Sequence, residues 1–260
     1  MPVELKSQEE IGHMREAGRI VAEILDVLER AVAPGVTTWE LDQLAERLIH
    51  EKGARPAFKG YRGFPSVLCT SINHEVVHGI PSRKRKVAAG DLLKLDFGVV
   101  YRGYFGDSAR TVPVGRVTPE AEALSRATRE SLEAGIRAAV AGNHVGDIGH
   151  AVQSHVEALG YSVVKDFVGH GIGRRLHEEP QIPNYGSPGT LAKLRPGMVL
   201  AIEPMVNAGT WEVETLDDDW TAVTTDGRLS SHWEHTILVT EDGPEVLTRP
   251  PDVAPPAFQR

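Results

Sequence analysis

Asp96 and Glu203 close two similar apolar runs 107 residues apart, and a carboxylate in such a place needs a partner for its charge. Gly90-Asp91-Leu92-Leu93-Lys94-Leu95-Asp96 aligns with Gly197-Met198-Val199-Leu200-Ala201-Ile202-Glu203. Asp107 flanks the same first hairpin as Asp96, and Glu234 stands just before the apolar strand Thr236–Val239. His170 lies in Gly169-His170-Gly171-Ile172-Gly173, where glycines allow close backbone approach. A lone Asp is usually a solvated surface residue. Five such residues in this pattern instead suit two divalent ions roughly 3.5–4 Å apart. The set is rich in oxygen and has no thiolate, which favours Mn, Fe(II), Co or Mg type ions over a structural zinc.

The elements that must carry these residues also repeat. The offset that pairs Asp96 with Glu203 also pairs Gly35 with Gly142, Leu41 with Ile148, Ala45 with Val152, Ile49 with Val156 and Gly53 with Gly160. One offset shared by helix-like and strand-like segments implies a duplicated supersecondary unit. The expected organisation is a single catalytic domain, 1–249, made of halves at about 1–115 and 116–249, with a Pro-rich tail at 250–260. Helical spacing and caps predict helices over 7–33, from an N-cap at Thr38 to Lys52, from Thr118-Pro119 to about Val140, and over 145–159. Strands are expected at 67–72, 92–100, 107–114, 163–168, 198–206, 222–224 and 235–239, with a turn at Tyr101-Arg102-Gly103-Tyr104. The class is α+β: one curved antiparallel sheet with helices on its outer face.

Composition narrows the setting. The net charge of −8 over 260 residues argues against a dedicated nucleic-acid binder. Arg83-Lys84-Arg85-Lys86 is the one dense basic run, and its plain reading is a solvated loop. A single cysteine, Cys69, excludes an internal disulfide and fits a reducing compartment. No apolar run approaches the roughly 20 residues of a membrane span. A cytoplasmic protein is expected, with no membrane partner.

Several further segments carry a family resemblance. They are Ser71-Ile72-Asn73 through Val77-His78-Gly79-Ile80-Pro81, Leu95-Asp96, Gly106-Asp107, the Gly169–Gly173 run, His177-Glu178-Glu179-Pro180, Ile202-Glu203-Pro204 and Glu234-His235-Thr236. In order and spacing the chain resembles the type I methionine aminopeptidases of the pita-bread metallopeptidase family. Only 33 residues separate His170 from Glu203, which leaves no room for the helical insert of type II enzymes. The resemblance implies two divalent ions from Fe, Mn, Co or Zn. Asp96 would hold one, Asp107 and Glu234 would bridge both, and His170 and Glu203 would complete the other.

The same resemblance implies roles outside the metal shell. His177 would hydrogen-bond the scissile carbonyl oxygen, His78 would contact the substrate amide, and Glu203 would also shuttle a proton. Tyr61, Phe64, Cys69 and Trp220 would line the methionine pocket. Val77 and Leu176 depart from the Cys and aromatic residue often found beside the two histidines, which bears on pocket shape and not on chemistry. The implied activity is removal of the initiator methionine when the second residue is small, by metal-activated water attack. The substrate would be the N-terminal peptide of nascent proteins, with ribosome contact through Arg83–Lys86, and the enzyme a monomer. Met1-Pro2 itself presents a small second residue, so the chain is expected to be its own substrate in trans. The other readings are an X-Pro dipeptidase of the same fold and a non-catalytic protein-binding family member.

Overall fold

The computed structural model describes residues 3–249; Met1-Pro2 and the Pro-rich stretch 250–260 lie outside the described residues. Helix α1, Gln8–Ala31, begins at Ser7, where the hydroxyl accepts from the Glu10 amide and the Glu10 carboxylate accepts from the Ser7 amide. Its apolar stripe, including Ile20, Ile24, Leu25 and Leu28, packs on the first half's sheet. Truncating one of these buried side chains to Ala costs about 2–5 kcal/mol. Helix α2, Thr38–Glu51, is capped by Thr37 and not by Thr38. Glu40 stands three residues after Thr37 and completes that capping box, while the Thr38 hydroxyl exchanges hydrogen bonds with Ser82. Helices α3, Pro119–Ala138, and α4, Val145–Ala158, pack on each other in the second half.

Fifteen strands, among the described residues, accompany these helices. In the first half they are β1 Arg55–Pro56, β2 Cys69–Ile72, β3 Glu75–Val77, β4 Leu92–Tyr101 and β5 Tyr104–Pro113. In the second half come β6 Ser162–Val163, β7 Gly169–Gly171, β8 Glu178–Ile182, β9 Val199–Ile202 and β10 Met205–Asn207. The remainder are β11 Val213–Thr215, β12 Ala222–Thr224, β13 Ser230–His232, β14 His235–Thr240 and β15 Gly243–Val246. All the strand pairings are antiparallel, as expected for the α+β class. The hydrogen bonding is divided among four sheets, of orders β1-β4-β2 with β5 on β4, β13-β10-β6, β11-β12-β3 and β15-β14-β9-β7-β8. Pro204, which has no amide to donate, divides the expected 198–206 strand into β9 and β10, which join different sheets. The β4–β5 turn is tight because Arg102 and Gly103 both hold positive φ, 49° and 84°.

The duplication is visible in the hydrogen bonding. Gly35 N–H donates to Val87 O and Val87 N–H to Val36 O; at the same offset Gly142 donates to Leu194 O and Leu194 to Asn143 O. Thr37 bridges Lys86 as His144 bridges Lys193. The Glu40 carboxylate takes the Thr37 amide as Asp147 takes that of His144. Such matched closures return the chain to the same place in both halves, so β4 and β9 arrive at the centre in equivalent positions.

Candidate metal centre

Asp96 and Asp107 come from the β4–β5 hairpin. Asp96 faces Ala109 and Asp107 faces Gly98, so the two acids are diagonal neighbours on one face. Glu203 follows the last residue of β9, and Glu234 precedes β14. Two reciprocal pairs tie the latter to β5: Glu234 N–H donates to Ala109 O, and the Ser108 hydroxyl to Glu234 O. Thr236 Oγ1 accepts from the Asp107 amide at 3.2 Å and donates to the Asp107 carbonyl at 2.7 Å. These contacts join the halves through backbone groups and two hydroxyls, and none of them uses a carboxylate oxygen of the cluster.

His170 enters from β7, which lies between β8 and β9. A Cβ on Gly169 would meet Ala201 O at 2.3 Å, and one on Gly171 would meet Glu179 O at 2.2 Å. The flanking glycines are therefore required by packing against both neighbouring strands. The Nδ1–H of His170 donates to Gly171 O at 2.9 Å, which leaves Nε2 as the lone-pair nitrogen, 3.5 Å from Glu203 Oε1. Asp107, His170 and Glu234 each offer a ligand atom within 4.8 Å of the others.

The electrostatics state what the cluster lacks. Burial raises the Asp107 carboxyl to about 7. Burial first, then the neighbouring acids, pushes Asp96, Glu203 and Glu234 well above the usual carboxylate range. Burial drops the His170 imidazole to about 3, so it is neutral and can ligate. Asp107 Oδ1 and Glu234 Oε1 are buried with no hydrogen-bond partner. Among the described residues these four carboxylates have no Lys or Arg ion-pair partner, and with two orphaned oxygens they fit a divalent cation centre.

This floor opens into a cavity of about 280 Å³ that all eleven site residues named from the sequence line. Phe64 meets Trp220 edge-on at 5.0 Å between centroids. The Trp220 turn is built by Asp218, whose carboxylate accepts from the Trp220 and Thr221 amides; this is the use of the middle acid in Asp217-Asp218-Asp219. Burial keeps the Cys69 thiol neutral, so it serves the wall and not the floor. His78 holds φ 61°, a left-handed conformation rare outside glycine, and stands edge-on to Phe167 and Trp220. Burial lowers its pKa to about 4. His177 lies beside His170, with the ring centres 4.3 Å apart and the planes tilted by 55°. Sequence reasoning missed Phe58, Arg62 and Phe167 as lining residues. Phe167 carried one usable signal, its place just before Val168-Gly169-His170.

Residues 12–241 match the model of metallopeptidase family M24. The chain belongs to that family. It is 52% identical over 244 residues to a methionine aminopeptidase of Clostridium acetobutylicum, covering 94% of this chain and 98% of that protein. The Thermotoga maritima methionine aminopeptidase structure superimposes with a TM-score of 0.94 at 46% identity, covering 96% of this chain and all of that one. A prolidase of Pyrococcus furiosus shares the M24 fold at a TM-score of 0.78, but at 24% identity and with 65% of its chain covered. Within M24, then, the likeness runs far more strongly to the aminopeptidases than to the prolidase.

Proposed function

We infer that this chain is a metal-dependent methionine aminopeptidase, which removes the initiator methionine from nascent proteins when the second residue is small. The observation that carries the reading is one cavity in which a buried carboxylate–imidazole floor meets an apolar slot. Asp96, Asp107, His170, Glu203 and Glu234 would hold two divalent ions drawn from Fe, Mn, Co or Zn, with Asp107 and Glu234 shared between them. Bound there, the ions would lower the pKa of a water and polarise the first peptide carbonyl.

The chain's own residues do the rest. Glu203 carries the proton from the attacking water to the leaving amine. His177 donates to the carbonyl oxygen as negative charge develops on it. His78, fixed between Phe167 and Trp220, meets the substrate amide. Phe64, Cys69 and Trp220 receive the methionine side chain, with Tyr61 at the rim; aromatic edges suit a thioether at about 0.3–1.5 kcal/mol per contact. A second recess of about 100 Å³, lined in part by Val77, Met205 and His232, opens beside His78. Its size supports the restriction to small second residues.

The catalytic unit is a single domain, 1–249, whose halves join near residue 115. The basic run is divided in its tasks. Arg83 lies over the Trp39 ring at 3.4 Å and Arg85 pairs with Glu75 at 2.5 Å, which leaves the exposed Lys84 and Lys86 to face ribosomal RNA. No helix among the described residues is long and apolar enough to cross a membrane. A cytoplasmic monomer acting on emerging chains agrees with these features. The test is a metal-dependence series with Met-Ala-Ser beside an Ala-Pro peptide. Metal-dependent release of methionine is expected; preferential cleavage of Ala-Pro would move the assignment to the X-Pro dipeptidases.

A further inference from the structure

Tyr61 stands where a pocket-lining residue is expected, yet its hydroxyl is engaged elsewhere. It lies 2.7 Å from Nδ1 of His177, with the two rings 5.3 Å apart and tilted by 34°. The residue sits on a short 3-10 turn, Tyr61–Gly63, and the turn is closed on itself: Tyr61 N–H donates to Phe58 O, Phe64 N–H to Tyr61 O, and Gly60 N–H to Phe64 O. Arg62 in the middle holds φ 49°, so the backbone is fixed in a sparsely populated region and not loosely draped. One turn therefore presents Phe64 to Trp220 and Tyr61 to His177.

We propose that Tyr61 is a positioning residue for the reaction, whose hydroxyl sets the tautomer and ring angle of His177. This rests on the reading of His177 as donor to the scissile carbonyl. A neutral imidazole has one N–H, and which nitrogen carries it is set by the bond the other makes. With the Tyr61 O–H as the donor in this 2.7 Å contact to Nδ1, the ring proton resides on Nε2, the remaining nitrogen of the ring. The opposite tautomer would offer the carbonyl oxygen a lone pair, which repels developing negative charge instead of stabilising it. His177 is exposed at the cleft mouth, so packing alone does not hold its ring. The phenol supplies what burial does not.

The test separates hydroxyl from ring. Tyr61→Phe keeps the aromatic wall, and kcat on a Met-Ala-Ser peptide should fall roughly 2- to 12-fold, the worth of one hydrogen bond, with KM unchanged. In a His177→Ala background the same change should cost nothing, because the residue it serves is gone. Long-range proton–nitrogen correlation of ring-labelled holoenzyme should show His177 as the Nε2–H tautomer in the wild type and mixed in Tyr61→Phe. An unaltered kcat in Tyr61→Phe, a rise in KM alone, or an equal loss in both backgrounds would each overturn the proposal and return Tyr61 to the pocket wall. If His177→Ala by itself keeps full activity, the role given to His177 fails separately.

Discussion

The floor and the wall of the cleft are built on opposite principles. The floor concentrates Asp96, Asp107, Glu203 and Glu234 out of water, with raised carboxyl pKa values and buried oxygens that no protein group satisfies. The wall, Phe64 against Trp220 and both near His78 and Phe167, is made of apolar rings in ordinary edge contacts. Folding favours the wall by itself, whereas the floor opposes folding until a cation arrives. On the proposed reading, catalysis resides where the structure is least satisfied, and specificity where it is most ordinary.

The largest effect should come from the floor. Asp107→Asn or Glu234→Gln is expected to abolish metal occupancy and turnover together, since on the proposed reading each removes a charge that two cations would share. The same substitutions should leave the metal-free chain at least as heat-stable as the wild type, because the cost of burying the acid, as charge or as proton uptake, is removed at nearly constant shape. Two tightly held metals with near-normal turnover in either variant would end the dinuclear reading.

His177 marks the border between the regions. His177→Ala should keep both metals and lower kcat on the order of 10²–10³, the loss expected for an oxyanion donor. Metal content that falls in parallel with activity would assign His177 to the floor instead.

For the wall, Trp220→Ala should raise KM for a methionyl peptide roughly 2- to 12-fold, the worth of an aromatic contact, with metal content intact. A loss of metal would show that wall and floor are not separable.

The smallest effect is a stability slope with pH in the metal-free protein. Asp107 rises from 3.8 to about 7 on folding, and Asp96, Glu203 and Glu234 rise as well. A carboxyl with a folded pKa above its unfolded one stabilises fully below the unfolded value and loses that contribution as pH climbs through the folded one. The histidines His78, His170, His232 and His235, whose pKa values burial lowers, slope the opposite way over the same range. The acid is therefore read as a difference between two metal-free chains that share them. The Tm advantage of Asp107→Asn over the wild type should grow from about pH 4 through pH 7. An advantage that shrinks across that window would mean the acids are ionised and paired in the metal-free state.

Much of this was legible before any coordinates. The offset of 107 is a property of the residues, and it foretold that α2 and α4 would match in length and place, because equal turns and caps close equal loops. Apolar runs ending in acids foretold buried carboxylates, because charge at the end of a buried strand must be compensated. Local signals failed where contacts distant in sequence decide. The strand expected at 163–168 shrinks to Ser162–Val163, because its partner is β10, whose length is limited by Pro204. The short strands β3, β11 and β13 have too little periodicity to be seen without their partners.

The sequence by itself determined the repeat, the ligand types and the family, since these depend on residue identity and order. The tertiary structure decided which atoms are left unsatisfied and which are taken. Arg85 became the partner of Glu75, and Tyr61 the partner of His177. Neither assignment follows from neighbours along the chain. A hydrogen bond forms between groups that the fold brings within about 3 Å, and that proximity belongs to the packed molecule and not to any segment of it.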